Sequence, residues 1–275
     1  MNPKIWGLHA RPARWHRWAL GALPFLLVLG VYLGASHLRL KDNPADKLLP
    51  SPQKMVRAVK RMAFTLDKRT ETYVLLQDTK SSLRRLAIGV FCGAVVGLFL
   101  GLNLGIFPGC NALLQPSVTF GSIIPPLALL PILFITFGVD ELSKVVLIFI
   151  GTFPIITRDI MLAVRKTPRE QIVKALSLGA SQLEVVYRIV LPQVMPRLLE
   201  AVRLTLGAAW LFLIASEAIA SADGLGYRIF LVRRYLAMDV IIPYALWITV
   251  LGFSLDRILQ LLTRRLYPWY TAEDS

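Results

Sequence analysis

A chain of 275 residues that is 55% hydrophobic and 17% charged, with a mean hydropathy of +0.58, carries more apolar surface than a soluble domain of this length needs. The apolar residues come in long blocks, which points to a multi-span membrane protein. The formal charge of +14, from 31 Lys and Arg against 17 Asp and Glu, would point to nucleic acid in a soluble chain. Here the basic residues sit between and beside the apolar blocks, so the membrane surface or a protein partner accounts for them and no nucleic acid is expected. Cys92 and Cys110 stand in no CxxC or Cys/His spacing, so neither a disulfide framework nor a metal site is expected.

The N-terminus has a basic stretch (Lys4, Arg11, Arg14, Arg17) ahead of an apolar run at 18–36. No small-residue cleavage site closes that run, so it reads as a retained first span. A span needs about 20 mostly apolar residues. By that rule five more follow, at about 85–105, 113–137, 142–161, 198–221 and 240–262. Between the first and second lies a polar segment, 37–84. Its NPADKLLPSP stretch (43–52) is punctuated by proline and predicted to be extended. MVRAVKRMAFTL (55–66) is predicted to be a short amphipathic helix on the membrane surface, with Met55, Val59, Met62 and Leu66 on one face.

The second span carries Gly89, Gly93, Gly97, Gly101 and Gly105 at spacing four, a bare stripe that lets another helix backbone come close. The third contains Pro125, Pro126 and Pro131. Prolines there are tolerated where protein or water re-satisfies the freed backbone, so a broken helix near Thr119, Ser122 and Thr136 either lines a pathway or shapes the bundle. The fifth span carries Glu217 on a small, polar stripe with Ala201, Thr205 and Ala209. That carboxylate is either a pathway residue or a hydrogen bond to a neighbouring helix.

The longest polar passage of the second half is TPREQIVKALSLGASQLEVVYRIVLPQ, 167–193. Thr167, Pro168 and Glu170 fit a capping box for a helix from Pro168 to about Leu178. Gly179 is placed to end that helix in a left-handed conformation. Ser181 and Glu184 form a second capping box, for a helix to about Val190 that Pro192 discourages from continuing. The expected product is two short amphipathic helices outside the bilayer, bent at Gly179.

In this passage Ala175, Gly179, Ile189, Leu191 and Pro192 keep the spacing of the EAA signature of permease subunits, and the chain resembles the binding-protein-dependent ABC importers. The signature's leading Glu-Ala falls on Val173 and Lys174, with Glu170 one turn earlier as the substitute acid. SSLRRLAIGV (81–90), SIIPPLALLPILFITFGVDELSKVVLI (122–148) and SEAIASADGLGYRIF (216–230) are similar to the permeases of the nitrate, sulfonate, taurine and bicarbonate importer group. The resemblance covers about 80–265.

The resemblance implies an all-α integral membrane protein with the six-span type I ABC importer permease fold and a cytoplasmic coupling helix. It implies a bacterial plasma (inner) membrane location, a cytoplasmic tail and first span at 1–36, an external linker at 37–79, the core at 80–265 and a cytoplasmic tail at 266–275. Lys and Arg are about equally numerous in the inside and outside segments of that topology, so the orientation rests on the coupling loop and not on charge. The implied partners are a cytoplasmic ABC ATPase dimer, a second permease copy in a homodimer, an external solute-binding protein and the lipid bilayer. ATP and Mg would sit on the ATPase, with no cofactor on this chain. The absence of a GxxxxGK[ST] loop agrees, since hydrolysis must then be supplied in trans.

The coupling surface is expected to comprise Glu170, Ala175, Leu176, Gly179, Ala180, Ser181, Leu191 and Pro192. Pathway candidates are Ser122, Pro125, Pro126, Glu217, Arg228, Arg233 and Arg234, the arginines being suited to a planar oxyanion. Contact of those arginines with headgroups or with the binding protein is the alternative. The solute is expected to be small and anionic, with a neutral or cationic nitrogenous solute as the alternative. Two rivals are a scaffold subunit with no pathway and a polytopic membrane enzyme. Against the enzyme, His9, His16 and His37 stand apart from any carboxylate cluster, and Asp140, Glu141, Asp159, Glu217 and Asp223 form no HExxH or aspartate-rich motif.

Overall fold

The computed structural model describes residues 13–44, 46–66, 71–219 and 221–271. Lys4, Arg11 and His9 lie outside them, as does the end of the tail. The described residues are almost wholly helical and contain no strand beyond one bridge between Leu66 and Tyr73. Among them five helices are long and apolar enough to cross a membrane, or six if one bent pair counts as a single span. The chain divides into two compact units.

The smaller unit comprises residues 1–61 and 232–243. It holds α1 (Arg14–Asp42), whose middle from Trp18 to Gly34 is apolar on all sides, with Phe25, Val28 and Val31 turned outward. A helix that is apolar all round and unburied faces lipid. The chain then folds back on α1. Tyr32 Oη donates to Pro50 O at 2.7 Å and Ser36 Oγ to Leu49 O at 3.0 Å. Next, α2 (Pro52–Phe64) begins with the Ser51 hydroxyl accepting from the Lys54 N–H. Its Lys54, Arg57, Lys60 and Arg61 alternate with apolar residues in the predicted amphipathic pattern.

The larger unit comprises residues 62–231 and 244–275. Its centre is the pairing of α3 (Val74–Ile106) with α6 (Glu141–Arg165). The five glycines of α3 face Ile148, Thr152, Ile156, Ile160 and Val164 of α6 in turn. Both ladders climb four residues at a time, so the two helices run parallel. A Cβ added at Gly101 would stand 2.7 Å from Ile160 Cβ and 2.8 Å from Thr157 O. Every rung on α6 is β-branched and therefore stiff at χ1. Rigid side chains seat against bare backbone, which is how helices associate where lipid removes the hydrophobic drive.

Between these helices come α4 (Pro108–Ile123), a tight turn at Pro126–Leu129 and α5 (Leu130–Phe137). The α4 and Pro126–Phe137 segments are bent 84° apart. Pro125 and Pro126 cause the break, because neither offers an N–H to continue the ladder. After α6 come α7 (Arg169–Ser177) and α8 (Gln182–Ile219). Then α9 (Leu225–Arg233) leads to α10 (Met238–Leu266) and the single turn α11 (Pro268–Thr271).

Two expectations are corrected. The first capping box does not form. Pro168, not Thr167, is the N-cap of α7, and no side chain caps it. The Thr167 N–H still belongs to the last turn of α6, donating to Val164 O at 3.1 Å, so the chain is not yet turned for Thr167 to cap. Pro192 also does not end its helix. Val185–Val190 forms a wide π turn whose last bond, Leu191 N–H to Val186 O, spans five residues. Opening that turn relieves the clash of the Pro192 ring with the preceding turn, and the helix runs on as the fifth span.

Candidate functional site

The loop expected to be the coupling element lies at the end of the bundle where α6 finishes and α8 starts. At the end of α7, Gly179 has φ +90. Its N–H donates to Leu176 O at 3.0 Å, and the Ala180 N–H to Ala175 O at 3.1 Å. This pair of bonds is a Schellman cap, and it needs a residue at ease with positive φ at the Gly179 position. Two residues on, the Ser181–Glu184 capping box is complete. The Glu184 N–H donates to Ser181 Oγ at 3.2 Å, and the Ser181 N–H to Glu184 Oε2 at 2.9 Å.

The two caps satisfy the backbone on either side of the bend within the loop itself. Gln193 Nε2 of α8 donates to Gln171 Oε1 of α7 at 2.9 Å, and Val185, Val186 and Val190 in the first turns of α8 are buried. The loop's exposed surface mixes apolar side chains with charged ones such as Arg169, Glu170 and Lys174. Val173, Leu176, Leu178 (79% exposed) and Leu183 (63%) stand clear, beside exposed Glu170, Gly179 and Ser181 and half-buried Ala175 and Ala180. Leu191 is half-buried and Pro192 exposed at the base of α8. Beneath the loop, Arg197 forks onto Asp159 at 2.6 and 2.7 Å and bonds Glu200 at 3.0 Å, which also accepts from Tyr270. A cavity of about 560 Å³ opens there, lined by Lys166, Thr167, Arg197 and Tyr270 among others.

The pathway candidates fall in three separate places. Ser122 Oγ donates to Thr119 O at 2.7 Å and Thr136 Oγ1 to Ile132 O at 3.0 Å, so both hydroxyls serve the backbone around the break at Pro125 and Pro126. No residue of α4 is buried in the described structure. Glu217 and Arg228 lie in a charge cluster at the opposite end of the bundle from the coupling loop. Arg233 and Arg234 are exposed and belong to the other compact unit.

The cluster is centred on Arg85 of α3, which is 2% exposed. All five of its N–H groups are used. Nε and Nη2 fork onto Glu141 at 2.7 and 2.5 Å, Nη1 reaches Glu217 at 2.7 Å and the Asp223 carbonyl at 3.0 Å, and Nη2 also reaches the Asp223 carboxylate at 2.5 Å. Glu217, fully buried, further accepts from Ser82 Oγ at 2.8 Å and the Gly226 N–H at 2.9 Å. Lys144 stands 3.5 Å from Glu141. Asp223 lies outside the spans. Burial pushes its carboxyl up, but the Ser81 hydroxyl and the Arg85 guanidinium more than offset this and hold it below the usual aspartate range. Arg228 is forked onto buried Asp78 at 2.9 and 3.3 Å.

Arg85, Asp78 and Ser82 escaped the reading of the sequence. Positions 78, 82 and 85 share one helix face with Gly89 and Gly93, so the signal was a polar continuation of the glycine stripe.

The model of the family described as "Binding-protein-dependent transport system inner membrane component" matches residues 89–267. The chain is similar to the taurine transport system permease TauC of Escherichia coli, 32% identical over 271 residues and covering 96% of each chain. It is also similar to the putative aliphatic sulfonates permease SsuC of the same organism, 32% identical over 93% of this chain and 95% of the relative. To the bicarbonate transport system permease CmpB of Synechococcus elongatus it is 29% identical over 69% of each. Among solved structures, the fold matches a chain of the MetNI methionine ABC transporter with TM-score 0.63, covering 72% of this chain and 99% of that one at 20% identity. The chain therefore belongs to the binding-protein-dependent inner membrane component family: it is a multi-pass permease subunit of an ABC importer, not an enzyme, and works with a separate ATPase and a binding protein.

Proposed function

We propose that this permease imports a small organic sulfonate of the taurine type, as two identical copies driven by a pair of ATPases that dock on residues 169–184. Similarity to TauC along 96% of both chains carries the substrate class. The capped loop around Gly179, with Val173, Leu176, Leu178 and Leu183 exposed on it, supports the docking site. Glu170, Ala175, Leu176, Gly179, Ala180 and Ser181 form that face, and Leu191 and Pro192 brace the start of the span behind it. ATP and Mg belong to the ATPase. With the loop in the cytoplasm, both termini are cytoplasmic, residues 37–79 are external, the core spans 80–265, and the charge cluster faces outside.

ATP closure pulls the two loops together and rocks the paired bundles about a central path. The broken segment at Ser122, Pro125 and Pro126 borders that path. Its α4 side, left uncovered within the single chain, faces the second copy. Arg233 and Arg234 are exposed, and their planar guanidinium groups suit an incoming sulfonate. Reconstitution of the chain with its ATPase and binding protein in proteoliposomes tests the reading. Uptake of labelled taurine or an alkanesulfonate should require all three components. Uptake of a neutral or cationic amine in its place would overturn the substrate class.

A further inference from the structure

Asp78 is fully buried on α3 and grips three other parts of the chain. It accepts from the Gly224 N–H at 3.1 Å, from Arg228 Nε at 2.9 Å and from Tyr244 Oη at 3.1 Å. One carboxylate thus ties α3 to the loop before α9, to α9 itself and to α10. The neighbouring acceptors complete the grip. The Leu225 N–H donates to Ser82 Oγ at 2.9 Å and the Gly226 N–H to Glu217 Oε2 at 2.9 Å. Three successive backbone donors at the start of α9, which a helix leaves without internal partners, are all satisfied by side chains of α3 and α8. Gly224, at φ +116, would place a Cβ 2.5 Å from the Glu217 carboxyl carbon, so the approach is as close as the backbone permits.

The grip sits where it can transmit motion. The 25 residues of α6 run about 37 Å from the Arg85 cluster to the coupling loop, and the glycine ladder fastens α3 along it. A displacement imposed at the loop therefore moves the far end of α3 as part of one body. Whether α9 and α10 follow depends on the bonds that join them to α3. Ser82 holds the Leu225 N–H and Thr79 accepts from Trp247 Nε1 at 3.0 Å, but of the three Asp78 alone bonds both helices. We propose that Asp78 is a positioning residue that makes the outer ends of α3, α9 and α10 move together, so that docking of the binding protein is communicated to the ATPases. This rests on the orientation proposed above, in which the cluster end is external.

The test uses the full complex in proteoliposomes with Asp78→Asn and Tyr244→Phe. Asp78→Asn keeps shape and weakens every arm; Tyr244→Phe removes only the arm to α10. The expected result is that Tyr244→Phe keeps complex yield within roughly twofold of wild type and Asp78→Asn lowers it by leaving Arg228 without its countercharge. Basal ATP hydrolysis per assembled complex stays within roughly twofold in both, while hydrolysis stimulated by the binding protein falls roughly tenfold in Asp78→Asn and less in Tyr244→Phe. Yield, basal hydrolysis and stimulation falling in parallel would show a merely structural role and overturn the proposal, as would unchanged stimulation. If Asp78→Asn does not assemble, Tyr244→Phe decides alone by the same criteria. Labelling of Ala222→Cys by an impermeant thiol reagent separates the two ideas. Labelling only from the cytoplasmic side overturns the orientation, and the clamp with it. Labelling from outside with unchanged stimulation overturns the clamp alone.

Discussion

The bend at Gly179 allows conformational strain to be told apart from bulk. A Cβ added there would meet nothing within 4 Å among the described residues, yet φ is +90. Size should therefore not matter within the free chain, and backbone preference should. A residue other than glycine at positive φ costs ~1–2 kcal/mol, of which Ala recovers ~0.4–1 kcal/mol by restricting the unfolded chain. The net for Gly179→Ala is about 1 kcal/mol, roughly a fivefold loss of the capped form. A β-branched Val should cost ~2–3 kcal/mol, roughly 30- to 150-fold. Asn, which adopts left-handed backbone with little penalty, should stay within about twofold of glycine. Co-purification of the ATPase and stimulated hydrolysis should follow the order Gly, Asn, Ala, Val. An order set by side-chain volume, with Asn worse than Ala, or a Val variant indistinguishable from wild type, would refute the strain argument.

Other expectations follow the same packing and pairing rules. Gly101→Leu should prevent α3 and α6 from closing and abolish folded yield in detergent, whereas Gly30→Ala on α1, where an added Cβ meets nothing within 4 Å, should leave yield unchanged. Arg85→Met leaves Glu217 buried without its countercharge and should destabilise by ~3–5 kcal/mol. The double variant Arg85→Met/Glu217→Gln should recover part of that in a thermal-unfolding assay, and no recovery would mean that the pair is not coupled. Ser181→Ala removes a completed capping box worth ~1 kcal/mol and should weaken ATPase retention several-fold without lowering permease yield. Arg197→Met, which frees Asp159 and Glu200 beneath the loop, should lower both yield and ATPase retention.

Features encoded by local rules were legible in the sequence, and those encoded by distant partners were not. The glycine stripe announced a close helix contact because small residues at spacing four lie on one face whatever they meet. Its partner ladder on α6 was not visible, since Ile148, Ile156 and Ile160 look like any apolar span residues. Hydropathy found the middle of each span but cut α3 short. The turns around Asp78, Ser82 and Arg85 are polar, yet they are helical because their charges are neutralised by groups 56 to 150 residues away. Pro192 misled for a related reason. A local rule ends the helix there, but the π turn before it reshapes the backbone, and buried Val185, Val186 and Val190 hold that turn in place.

The ladder between α3 and α6 has a property that its contacts do not reveal singly. It repeats. A slip of α3 by four residues, about 6 Å along the axis, would set Gly89 against Thr152, Gly93 against Ile156 and so on, recreating four of the five rungs. Packing alone therefore distinguishes poorly between neighbouring registers. What breaks the tie is Arg85: its fork onto Glu141 spans the same two helices at one end and can be made in a single register. The ion pair acts as the index pin of a linear scale, and the buried charge that hydropathy counts as a cost to the span is what tells the two helices where along each other to stop.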